Sequence, residues 1–171
     1  MTDLIATAGA ADANSYCTVA QADEHLVGYR LNSTAWDEST AKVAALLMAT
    51  QHLDRLNWIG EKATSAQALR WPRIDAYDRD GSLIDSTTLP MGLVRATAEM
   101  AFWLIQEDRT AIPGGEQLAQ LKAGPVDLKF RDRPGVGNLL EQLPDSVTGH
   151  LTGLTASSLQ TGSGFRNVLR A

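Results

Sequence analysis

Apolar positions along the chain change period several times, and each change marks a predicted element. Val19, Ala22, Leu26 and Tyr29 lie near one helical face, behind a capping box at Thr18-Val19-Ala20-Gln21, so a short helix is expected to about Arg30. Asn32-Ser33-Thr34 breaks it. Asp37 or Ser39 can cap a second helix, whose stripe Val43, Leu46, Leu47, Thr50, Leu53 and Leu56 should end near Asn57. Pro90, a good first-turn residue after Thr87 and Thr88, opens the strongest helix, expected over about 90–109. Val94, Thr97, Ala98, Ala101, Leu104 and Ile105 form its stripe, widened by Phe102 and Trp103, so this helix should be central.

The segments between are less periodic. Residues 58–89 form a long irregular stretch, and a loop of that length needs its own structure or a function. Trp58, Gly60, Trp71, Pro72, Arg73, Tyr77 and Gly81 are its expected structural anchors onto the helices. Asp80-Gly81, between Tyr77 and Leu83-Ile84, signals a tight hairpin turn. Over about 116–131, Val126, Leu128 and Phe130 alternate with Asp127, Lys129 and Arg131, the period of a β-hairpin. A further short helix is expected at 136–143, carrying Val136, Leu139, Leu140 and Leu143.

From Pro144 the texture changes to Gly, Ser and Thr with singly spaced leucines, the composition of a flexible arm that holds one shape only against a partner. Residues 1–17 are Ala-rich without clear period and read as an extended strand or arm. The expected fold is therefore mainly α: a small bundle of about four helices with an inserted β-hairpin. An N-terminal arm (1–17) and a C-terminal arm (144–171) flank the domain at 18–143.

Composition narrows the function. A chain of 171 residues, 44% hydrophobic, can bury a core without staples. A net charge of −5 argues against wrapping a nucleic-acid backbone. Asp3, Asp12, Asp23, Glu24, Asp37, Glu38 and Asp54 face only Arg30 and Lys42 within residues 1–54, whereas 122–133 carry Lys122, Lys129, Arg131 and Arg133 against Asp127 and Asp132. Such a subunit can stack head-to-side with its copies, although two solvated faces would look the same. Cys17, the one cysteine, allows no internal disulfide and reads as a small buried hydrophobe. The first residues lack a signal-peptide pattern, and no stretch approaches a membrane span, so a reducing, soluble setting is expected.

Chemistry is hard to find. His25, His52 and His150 show no metal-ligand spacing, and His25 and His52 are expected at helix surfaces. Gly60-Glu61-Lys62 lacks the upstream glycine of a phosphate loop, and Gly135-Val136-Gly137 lacks the third glycine and βαβ setting of a dinucleotide site. Asp75, Asp78 and Asp80 lack the terminal Glu of a calcium loop. No serine has a nucleophile setting. No enzyme, metal or cofactor is expected. Trp58 near Lys62, and Trp71 between Arg70 and Arg73, could stack bases, but anchoring of the long loop is the better account.

Several blocks together resemble a family of phage proteins. They are Asn14-Ser15-Tyr16, Trp58-Ile59-Gly60-Glu61-Lys62, Gln67 to Arg73 (QALRWPR), Tyr77 to Gly81 (YDRDG) and Gly124-Pro125-Val126. In this order they are similar to proteins labelled DnaT-like single-stranded-DNA-binding proteins, over about residues 14–143. That label implies a replication accessory protein that binds single-stranded DNA. The architecture resembles the head-to-tail connectors, or adaptors, of tailed phages, which form a ring under the portal, usually of twelve subunits.

The connector resemblance implies a structural virion protein of the neck, assembled in the host cytoplasm. Its partners would be its own copies, the portal protein and the next neck or tail component. The ring would enclose double-stranded DNA without sequence-specific binding. An acidic subunit suits a channel through which DNA must slide. In the C-terminal arm, Phe165, Val168 and Leu169 would be apolar anchors on a partner, and Arg166 and Arg170 would pair with acids.

Overall fold

The computed structural model describes residues 3–106, 120–123, 126–129 and 143–156, the two short central stretches by their backbone. Helix α1, Val19–Tyr29, starts as its sequence requires. The Thr18 side chain accepts from the Gln21 amide at 3.2 Å, and the Thr18 amide donates to the Gln21 side chain at 2.9 Å. The capping box fixes the start, and Ala22 and Leu26 are the buried face.

The predicted break at 32–34 leads into a one-turn helix, α2, Thr34–Asp37. Its reason is Trp36, which is fully buried and donates its indole N–H to Asp23 at 2.7 Å. Lys42 meets the same carboxylate at 3.1 Å. Helix α3, Lys42–Asp54, buries Ala45, Leu46, Ala49, Thr50 and Leu53. Val43, expected on the buried stripe, is exposed, because the true face runs through Ala45 and Ala49. Ser39 does not cap α3 directly; its hydroxyl accepts from the Ala41 amide just outside it, at 3.1 Å.

Helix α4, Met91–Gln106, is the central element, packed against α1, α2, α3 and a last short helix, α5, Asp145–His150. Nearly every side chain from Leu93 to Phe102 is buried, as suits a helix covered on several sides. Two small antiparallel pairs accompany the helices. Strands β1, Glu61–Lys62, and β2, Arg73–Ile74, pair with each other. Strands β3, Gln120–Ala123, and β4, Val126–Lys129, form the hairpin expected near 116–131, with Leu121 opposite Leu128. The chain is thus mainly α, with five helices among the described residues.

The main departure is at Pro144. Helix α5, Asp145–His150, begins immediately after it. Val147, Leu151 and Leu154 are buried, the Leu154 carbonyl accepts from the Ile59 amide at 3.2 Å, and the Ala156 amide donates to Asn57 at 2.8 Å. Residues 145–156 therefore belong to the folded domain, and an arm starting at 144 is corrected to that extent. The remainder of the expected arm, 157–171, and the expected helix over most of 136–143 lie outside the described residues.

The N-terminal segment folds back on its own domain. Asn14 closes a loop by accepting from the Ile5 amide at 2.7 Å while its side chain donates to Asp3 at 2.8 Å. Tyr16 and Cys17 are buried in the core. Among the described residues no helix is long and apolar enough to cross a membrane.

Candidate functional site

The long segment after α3 is organised around Arg73. Its guanidinium and Nε donate to the carbonyls of Ile59, Gly60 and Arg70. Burial, together with the positive charge of Arg70, lowers its pKa from the ordinary value. Planar donors in a fixed fork suit this task, because three carbonyls from two separate stretches of the loop must be satisfied at once. Gly60 has φ of +66°, and a side chain there would collide with the Ile74 carbonyl. Trp58 and Trp71 meet edge to face, with ring centroids 5.9 Å apart.

Polar clasps close the rest. The buried Gln67 side chain donates to the carbonyls of Leu69 (2.9 Å) and Pro72 (3.0 Å) and accepts from the Thr64 amide at 2.9 Å. Lys62 donates to the Gln67 carbonyl at 2.9 Å. Asp54, at the end of α3, accepts from the Tyr16 hydroxyl and from the Arg70 amide (2.7 Å). Desolvation, then the Asp54 charge, drives the Tyr16 pKa far up, so the phenol stays a neutral donor.

Trp58, Trp71, Pro72 and Arg73 thus converge on one interior cluster, with Gly60 at its exposed edge. Tyr77 and Gly81 lie elsewhere, on the exposed turn. There Tyr77 pairs with Leu83, Gly81 has φ of +83°, and the Asp78 carboxylate accepts from the amides of Asp80 (3.0 Å) and Ser82 (2.8 Å). Tyr77 is 52% exposed, so its side chain does not anchor the loop. Phe165, Arg166, Val168, Leu169 and Arg170 lie outside the described residues. As platforms for bases, Trp36, Trp58 and Trp71 are closed: they are 0%, 7% and 1% exposed. Trp103 is half-buried and donates to the Ser146 hydroxyl at 3.0 Å.

A second constellation joins three helices. Glu99, on α4 and 5% exposed, faces His25 of α1 at 3.1 Å and Arg30, just past α1, at 3.4 Å. The Arg30 guanidinium lies 3.9 Å over the Phe102 ring. His150, on α5, meets the His25 ring edge-on at 5.4 Å. Ligand atoms of His25, Glu99 and His150 all lie within 4.8 Å of one another. His25 Nδ1 and Glu99 Oε2 are buried without a hydrogen bond among the described residues. Burial, then the neighbouring His25, lowers the His150 pKa.

His25 was expected on a helix surface; its side chain is only 11% exposed. Sequence spacing could not reveal the cluster, because its members come from three separated helices. His150 also lines an open cleft of about 370 Å³, formed with Asp78, Asp80, Pro90 and Gly92. Gly92 is required there, since any Cβ would come within 2.5 Å of the His150 carbonyl.

Comparison with known families places the chain. The family described as "Putative DnaT-like ssDNA binding protein" matches residues 3–170, and the chain belongs to that family. No curated protein and no solved structure matches it.

Proposed function

We propose that this family member is a structural subunit of a tailed-phage neck, an adaptor that assembles as a ring under the portal and joins head to tail. The observation that carries the reading is the use of the signature residues. Trp58, Trp71 and Arg73 are turned inward and consumed in bracing the loop between α3 and α4. Two of the sequence blocks that carry the resemblance, Trp58 to Lys62 and Gln67 to Arg73, therefore serve to brace the loop, and their tryptophans are not open to base stacking. Val27, Tyr29 and Leu31 leave exposed apolar side chains at the end of α1, a surface suited to contact between copies. The net charge of −5 suits a ring through which DNA slides.

A second reading rests on the family description itself: a replication accessory that binds single-stranded DNA. The description favours this reading directly. Against it stand the closed tryptophans and the acidic balance, since single-strand binders combine stacking aromatics with a cationic groove. Fluorescence anisotropy with a labelled oligonucleotide separates the two. The adaptor reading predicts no saturable binding at physiological salt. Submicromolar binding that weakens steeply with added salt would replace it with the second reading.

A further inference from the structure

We propose that His25, Glu99 and His150 form a binding site for a divalent transition-metal ion of the zinc type, which ties α5 to α1 and α4. Two imidazoles and one carboxylate are the donor set such ions prefer when three protein ligands leave a fourth position to water or another ligand. The His25 Nε2 to Glu99 Oε1 separation of 3.1 Å is close to the roughly 3.4 Å edge of a tetrahedron with ligands at about 2.1 Å. The His150 donor closes the triangle from no more than 4.8 Å, so a rotation of its ring within the cleft wall completes the set.

The surroundings support an ion there. Glu99 is 95% buried, and among the described residues its Oε2 makes no hydrogen bond, only the ion-pair contact with Arg30. Arg30 holds this far oxygen and leaves Oε1 facing the histidines, as an outer-shell partner orients a ligating carboxylate. Its charge also competes with the ion, which lowers affinity relative to an unpaired carboxylate. Entry is available, because His150 lines the open cleft together with Asp78 and Asp80. The site depends on neither functional reading above.

The test uses the full-length chain stripped with chelator and titrated with cobalt(II) and zinc(II). One equivalent of cobalt should bind, with the intense visible bands of a tetrahedral site, and zinc should displace it. Zinc should raise the melting temperature. H150Q and H25Q should each weaken binding more than about 100-fold, beyond the effect of outer-shell changes, and H52Q should retain it. H150Q alters a half-buried side chain at the cleft and decides the matter if H25Q does not fold. Absence of saturable binding in the unaltered chain, or binding unchanged in H150Q, overturns the proposal.

Discussion

At the scale of single residues, the loop between α3 and α4 makes sharp demands. Arg73→Met should cost about 2–3 kcal/mol, because it strips a charged donor from three part-buried carbonyls, and Arg73→Lys should recover only part of that. Urea denaturation measures both. Gly60 and Gly81 share a positive φ yet differ in surroundings: the first is hemmed in by backbone, the second has nothing within 4 Å. Gly60→Ala should therefore be much the more damaging, with Gly81→Ala limited to about 1–2 kcal/mol of conformational cost. Cys17 is held protonated by burial and by Asp23, its pKa raised from 9.0 to about 12. The unfolded thiol ionises first as pH rises, so this contribution to stability is intact below 9.0 and is lost between 9.0 and 12. Cys17→Ala should flatten the fall in urea midpoint over that window, and a thiol reagent near neutral pH should label the native protein only after unfolding. The Asp80-Gly81 turn could be read from two letters, because positive φ is a local requirement. The His25–Glu99–His150 cluster could not, because long-range packing creates it.

At the scale of elements, strong local signals were readable and short elements were not. Helices α1 and α4 announce themselves by a capping box and by a long apolar stripe. Helix α2 is one turn held by a single buried Trp36, too short to show a period. Helix α5 and the turn after it carry Val147, Leu151 and Leu154 at spacings of four and three, with Pro144 before the helix and Asp145 in its first turn. Those signals were masked by the Gly, Ser and Thr around them. The consequence is testable by truncation. A chain ending at Pro144 should fail to fold cooperatively, because it strips the buried partners of α4. Thermal melting followed by circular dichroism checks this. Leu151→Ala should cost about 2–5 kcal/mol, as cavity-forming changes at fully buried leucines do.

At the scale of the whole molecule, the mainly α architecture and the central position of α4 follow from hydrophobic period, and the family follows from the sequence blocks. The assembly is the proposal. If copies meet through the exposed end of α1, the double change Val27→Ser with Leu31→Ser should leave the melting temperature nearly unchanged and reduce self-association, read by sedimentation. The most direct measurement is electron-microscopic class averaging of the purified chain mixed with its cognate portal. The account predicts a ring with a central hole seated on the portal. A bare portal beside dispersed monomers, with the same chain coating single-stranded DNA, would contradict it.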